Sequence, residues 1–370
     1  MSAGAPSTAL AVGPDEDRRA RAVRDGEDFD AAAVTRWLAG VVHGLDPAAV
    51  PAVTQYSAGA SNWTYRLRYP DHDLVLRRPP AGTKARSAHD MGREFQVQQA
   101  IRDQFPSVPA MIGLCSDESV IGSEFYVMQR LNGVIPTAAF REAADLPAAA
   151  VRDICTSVLD TLVRLHGVDI DRAGLQTLGR GPGYCRRQIE GWIGRYDKAR
   201  TRNVPAFTRT RDFLLANIPD DRAACLIHND YRFDNVVLDR DDLTRVIGVL
   251  DWEMATIGDP LMDLGNSLAY WVQADDDPIM RVMRRQPTHL PGMLTRRQVV
   301  EFYSERTGLA VDPGQWSFYE VYGLFRLAVI AQQIYYRYYH GQTRNPAFKN
   351  FWLMIHYLNW RCARIVRRSR

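Results

Sequence analysis

The spacing of apolar residues changes along this chain, and each change marks a different kind of element. Val34, Trp37, Leu38, Val41, Val42 and Leu45 recur at three- and four-residue intervals, which predicts an amphipathic helix. The interval then drops to two: Trp63, Tyr65, Leu67 and Tyr69 alternate with Thr64, Arg66 and Arg68, as in a half-buried strand. Leu74 to Arg78 predicts the next strand, Ala88 to Arg102 a helix, and Met111 to Cys115 and Phe125 to Gln129 two more strands. Beyond Leu131-Asn132-Gly133 the helical period dominates, with Val151, Ile154, Val158, Leu159, Leu162 and Leu165 on one long apolar face. Later helices are predicted near Pro260 to Trp271, Arg296 to Thr307, Phe318 to Tyr339 and Ala347 to Val366. The order is that of an α+β protein in which a small antiparallel sheet precedes a larger, mostly helical part. The predicted division is a mobile tail over 1–28, a small unit over 29–130 and a large one over 131–370.

Inside the helical part, Val236 to Asp239 and Val246 to Leu250 are apolar runs separated by the charged, turn-like Arg240-Asp241-Asp242. A hairpin there brings Asn235 and Asp251 together at its open end. Asp230 stands two residues after His228 and five before Asn235, the offset of a phosphotransferase catalytic loop. Phosphoryl transfer needs a carboxylate beside the attacking hydroxyl and oxygen ligands for the Mg²⁺ that draws charge off the phosphates. Asp230 fits the first need, and Asn235 and Asp251 fit the second. Asp and Asn also cap helices and make turns. A fixed His, Asp and Asn followed by a hairpin that delivers another Asp is a rarer combination.

The run His228-Asn229-Asp230-Tyr231-Arg232-Phe233-Asp234-Asn235 resembles the catalytic loop of the aminoglycoside phosphotransferase and choline kinase superfamily. With Asp251-Trp252-Glu253 and Gly258-Asp259-Pro260, it is most similar to the subgroup related to kinase domains attached to acyl-CoA dehydrogenases. The resemblance covers nearly everything after residue 30 and implies a two-lobed, protein-kinase-like fold that uses ATP and Mg²⁺. That family usually has Gly between the His and the Asp, and this chain has Asn229.

On that reading Gly59, Ser61 and Asn62 lie in a loop over the phosphates, although the same segment also suits a plain hairpin turn. The chain has three lysines, and none falls within a strand signal. Arg77 is therefore expected in place of the usual Lys, paired with Glu94 on the following helix. Met128, Gln129 and Leu131 belong to the segment whose backbone would meet adenine. His228 is expected to brace the loop, Asp259 to cap a helix whose first residue is Pro260, and Asp263 to support the loop. Glu253 either reaches a metal through water or neutralises a neighbour.

The 46% hydrophobic content is that of a soluble chain, and a net charge of +3 is too small to argue for nucleic acid. No apolar run reaches the length of a membrane span and no signal peptide opens the chain, so a cytoplasmic protein is expected. The five cysteines lie at least thirty positions apart, which excludes zinc-ligand spacing.

Val321 to Arg370 holds nine Lys or Arg and no Asp or Glu, interleaved with Tyr335, Tyr336, Tyr338, Tyr339, Phe351, Trp352, Tyr357 and Trp360. Tyr184, Arg186, Arg187, Trp192 and Tyr196 form a similar mixture. Such a wall suits a small-molecule acceptor with an apolar body and negative groups better than a polycation. The acceptor implied by the resemblance is a hydroxyacyl group, as in a hydroxyacyl-CoA. Alternatives are an aminoglycoside O-phosphotransferase, a catalytically silent nucleotide-binding pseudokinase, and a metal-dependent phosphohydrolase using His89-Asp90.

Overall fold

A computed structural model of the chain describes residues 19–56, 62–80 and 90–369. The chain divides into two compact units, Met1–Asn132 and Gly133–Arg370.

The first unit is built on an antiparallel sheet of β1 (Ala20–Arg21), β2 (Ala52–Tyr56), β3 (Trp63–Arg68), β4 (Asp73–Arg78), β5 (Met111–Cys115) and β6 (Phe125–Gln129). Their order in the sheet is β1-β2-β3-β4-β6-β5. Alternation puts Tyr65, Leu67, Leu74, Leu76, Phe125 and Val127 in one core cluster with Val34 and Leu38 of α1 (Ala31–Ala39). Val75, Tyr126 and Met128 pack on the opposite face against Met91 and Phe95 of α2 (Met91–Ile101).

Three expectations need correction here. The first helix stops at Gly40, whose N–H bonds back to Trp37 and Leu38, so Val42 and Leu45 join the core without continuing the helix, while Val41 is left largely exposed. The second starts at Met91, because the Asp90 side chain accepts from Arg93 N at 2.8 Å and caps it; residues 81–89, with His89, lie outside the described part. The end of the expected tail is structured. Ala20 and Arg21 pair with Tyr56 and Gln55, and Arg78 donates to the carbonyls of Glu27 and Asp28 at 2.8 and 2.9 Å. A two-residue edge strand without apolar alternation carries no period for a sequence to display.

The second unit holds a three-stranded sheet of β7 (Gly133–Val134), β9 (Val236–Asp239) and β10 (Val246–Val249), and a pair of β8 (Cys225–Ile227) with β11 (Thr256–Gly258). Around them lie α3 (Ala148–His166), α4 (Tyr184–Ala199), α5 (Thr208–Ala216), α6 (Pro260–Ala269), α7 (Pro278–Val282), α8 (Arg296–Thr307), α9 (Pro313–Tyr339) and α10 (Phe351–Arg368). The expected α8 coincides with the observed one, fixed by a capping box between Thr295 and Gln298. α9 begins five residues before its expected start, because Asp312 caps it and Pro313 occupies its first turn. All five cysteines are buried free thiols. No helix among the described residues is long and apolar enough to cross a membrane.

α6 and α9 cross at glycines. A Cβ on Gly323 would lie 2.1 Å from the Gly265 carbonyl oxygen, a backbone atom that cannot swing aside. Gly323→Ala is expected to force the helices apart and lower stability by about 1–3 kcal/mol. Denaturant unfolding checks this, with a midpoint unchanged from the parent as the contrary result.

Candidate active site

The hairpin assembles the central residues. β9 and β10 pair Val236 with Val249, Val237 with Gly248 and Leu238 with Val246. Leu250 N then donates to the Asn235 carbonyl at 2.8 Å, so the ladder runs one step further and leaves Asp251 beside Asn235. Asp251 has φ 69° and ψ 62°, a left-handed conformation that turns the chain into a one-turn helix, Trp252–Met254. Glu253 lies within that turn. Asn235 Nδ2 donates to the Asp230 backbone oxygen at 2.8 Å and to its Oδ2 at 3.0 Å. That network assigns the amide nitrogen to Asp230 and leaves Oδ1 as the other polar end of Asn235.

The loop that carries Asp230 is held by a fully buried carboxylate. Asp263, on α6, accepts from His228 N at 2.9 Å and Asn229 N at 2.8 Å. It also accepts from His166 Nε2 at 3.1 Å, while His166 Nδ1 meets the Tyr303 hydroxyl at 2.7 Å. Burial pushes the Asp263 carboxyl up, but the His166 hydrogen bond and charge, His228 and the loop amides outweigh it and hold it below the usual range. Asp259 caps the same helix, accepting from Leu261 and Met262 N at 2.9 and 3.0 Å.

His228 is fully buried, and burial lowers its pKa. Its Nε2 bonds the Leu250 carbonyl at 3.0 Å and so carries the proton, while Nδ1 accepts from Asp230 N at 3.3 Å. A neutral imidazole thus ties the Asp230 loop to the residue preceding Asp251. Asn229 adopts φ 64°, a backbone state that Asn tolerates better than most side chains.

Burial raises the Asp230 carboxyl; Arg232 opposes the rise, the Asp251 charge adds to it, and Arg326 and His228 oppose it. Arg232 Nη2 lies 3.0 Å from Asp230 Oδ2. Arg326, on α9, is 4% exposed, donates to the Asn229 carbonyl at 2.9 Å and sits 5.2 Å from the Trp192 ring centroid. Sequence reasoning counted Arg326 among basic residues at large and gave Arg232 and His166 no role. A signal existed for Arg326, since it is the one charge in the apolar run Val321 to Ala331, where a charge is buried and therefore partnered.

In the first unit, Arg77 Nη1 lies 3.1 Å from Glu94 Oε1, with their side chains 9% and 1% exposed. Neither is the solvated surface charge that most Arg and Glu are. Asn62 is buried at 1% exposure, and Gly59 and Ser61 lie outside the described residues. The Met128 side chain belongs to the core with Phe95 and Met91. Gln129 N bonds the Ala110 carbonyl at 2.8 Å, and Leu131 is half-buried.

The aromatic wall expected in the second unit is core only in part, since Tyr336, Tyr338, Phe351 and Trp352 stay partly exposed. Tyr184, Trp192, Tyr196, Tyr335 and Tyr357 are buried, whereas Tyr339 and Trp360 are about half exposed. Arg361 is likewise structural, bonding the buried Asp276 at 3.2 Å alongside Arg296. At helical spacing, aromatics that seal a core and aromatics that line a pocket look the same.

The chain is 37% identical over 308 residues to acyl-CoA dehydrogenase family member 11 of Rattus norvegicus, a match covering 81% of this chain and 38% of that protein. It therefore spans about two fifths of that relative's length. A solved structure from Ralstonia eutropha JMP134, named as a candidate aminoglycoside phosphotransferase, aligns with TM-score 0.77 at 26% identity, covering 92% of this chain and 99% of that one. The aminoglycoside phosphotransferase APH(4)-Ia, solved with AMP-PNP and hygromycin B, shares the fold at TM-score 0.55 and 18% identity over 90% of this chain and 98% of its own. The profile of the phosphotransferase enzyme family matches residues 52–297, a span that takes in the Arg77–Glu94 pair, the Asp230 loop and the hairpin, and the chain belongs to that family.

Proposed function

We propose that the chain transfers the γ-phosphoryl group of ATP, with Mg²⁺, to a hydroxyl of a small molecule that carries negative charge and an apolar body, such as a hydroxyacyl-CoA. The observation that carries this reading is the meeting of Asp230, Asn235 and Asp251 at the mouth of one hairpin. Among the described residues no three His, Cys, Asp or Glu side chains form a metal cage. A carboxylate and an amide oxygen suit Mg²⁺, which is usually bound by one or two carboxylates together with phosphates and water. Asn235 Oδ1 and Asp251 would hold the cation, which when bound neutralises charge on the phosphates.

Asp230 would accept the hydrogen bond of the acceptor hydroxyl and take its proton as the phosphoryl group departs. His228, neutral and hydrogen-bonded to backbone at both nitrogens, would hold the loop rather than act as the acid or base. In the first unit, Arg77, oriented by Glu94, would hold phosphate oxygens. The Asn62 side chain and the backbone of Gln129 and Leu131 would meet other parts of the nucleotide, with Gly59 and Ser61, which lie outside the described residues, as further candidates.

The acceptor reading rests on charge. Arg232 and Arg326 both offset the negative charge of Asp230 and Asp251, so the site is less suited to a polycation than a lining of carboxylates alone would be. The dehydrogenase named in the rat relative acts on acyl-CoA by its name, in agreement with such an acceptor. Incubation with Mg-ATP and a hydroxyacyl-CoA series beside kanamycin, read by phosphorus NMR, tests the proposal. A phosphorylated hydroxyacyl product is expected. Turnover of kanamycin alone overturns the anionic acceptor, and nucleotide binding without any product favours a silent member.

A further inference from the structure

Asn229 engages each of its four polar atoms. Its N–H goes to Asp263 at 2.8 Å and its carbonyl accepts from Arg326 at 2.9 Å. Side-chain Oδ1 accepts from the Tyr184 hydroxyl at 3.1 Å and from Asn266 Nδ2 at 3.2 Å, and Nδ2 donates to the Met254 carbonyl at 3.0 Å. A glycine would adopt φ 64° with less strain and keep both main-chain bonds. What the asparagine adds is the set of three side-chain bonds.

Two of them run to helices, since Tyr184 opens α4 and Asn266 lies in α6. The third differs in kind. Met254 ends the one-turn helix that Asp251 begins, and its own side chain is 41% exposed and so anchors the turn weakly. The Asn229 amide therefore clamps the turn that presents Asp251 to the residue immediately before Asp230.

We infer that Asn229 is a positioning residue that fixes Asp251 relative to Asp230, and so sets the affinity of the site for the divalent cation accompanying the nucleotide. The inference rests on the function proposed above. It is separable from a general role in folding. Asn229→Gly preserves the backbone state and its bonds to Asp263 and Arg326 but loses the bonds to Tyr184 and Asn266 with the clamp, whereas Asn229→Asp keeps an oxygen for Tyr184 and Asn266 and loses only the donor to Met254.

Two variants test it: Asn229→Gly, and Asn229→Asp, which puts an acceptor in place of the donor to Met254. For each, three quantities are measured: half-saturating Mg²⁺ in phosphotransfer, KM for the acceptor, and amide hydrogen exchange over residues 251–258. Loss of a group that orients a metal ligand typically weakens metal affinity by about 10–100-fold. The expected result is a rise of that size in half-saturating Mg²⁺, an unchanged acceptor KM, and faster exchange in the turn. A parental Mg²⁺ curve with parental exchange in Asn229→Gly overturns the inference, as does an equal loss in Mg²⁺ and acceptor affinity. Should the parent itself transfer no phosphoryl group, the proposed function fails, while the exchange comparison still decides whether the clamp exists.

Discussion

Asp230→Asn is expected to lower kcat by about 10²–10⁴-fold, the range ascribed to a positioned general base, while the chain stays folded. The carboxyl is raised chiefly by burial, with Asp251 adding, so its ionised form is disfavoured in the native state. Replacing it with a neutral amide removes that unfavourable charge, and stability at neutral pH should hold or improve. Arg232 keeps Asp234 as a second partner at 3.5 Å. A large loss of rate together with a retained melting temperature separates a chemical role from a structural one, and a variant with parental kcat would remove Asp230 from the mechanism. The same raised carboxyl fixes a pH signature. The base must be ionised, so kcat/KM should fall on the acid side through a pKa above the ordinary aspartate value of about 3.9.

The opposite outcome is expected one helix away. Asp263→Ala removes the shared acceptor of two loop amides and of His166 in a fully buried setting. Breaking such a buried group away from its partners typically costs about 3–5 kcal/mol. The variant should lose stability and activity together, because the unsupported loop is the one that carries Asp230. Linkage adds a second check. The Asp263 pKa is depressed in the folded state, so its contribution is complete above the unfolded value of about 3.9 and fades as pH falls through the folded value. The stability gap between parent and variant should accordingly be constant near neutrality and close below about pH 4. Denaturant titrations across pH measure it, and a gap that widens in acid would contradict the assignment.

Much of this arrangement was legible before any coordinates. The strands expected over Met111 to Cys115 and Phe125 to Gln129 coincide with β5 and β6, and the two apolar runs flanking Arg240-Asp241-Asp242 pointed to the hairpin. The Arg77–Glu94 pair was implied by the family resemblance, with Arg77 standing where a lysine is usual and no lysine falling in a strand signal. What the sequence concealed has identifiable physical causes. β1, β7, β8 and β11 have two or three residues each, too few for a period to register. α4 mixes Arg, Gly and aromatics, so its buried face, with Tyr184, Trp192 and Tyr196, read as a binding surface. The brace from Asp263 to His166 joins residues ninety-seven positions apart, and no local pattern encodes such a contact. Asn229 looked like a departure from a family pattern, yet its side chain supplies three hydrogen bonds that a glycine lacks.

The most direct test of the account is a crystal structure of the chain with Mg²⁺ and AMP-PNP. The account predicts a cation coordinated by Asn235 Oδ1 and an Asp251 oxygen as well as by phosphate oxygens, with the Asp230 carboxylate facing the terminal phosphate from the acceptor side. Phosphates bound away from these three residues, or a cation held by other side chains, would contradict it.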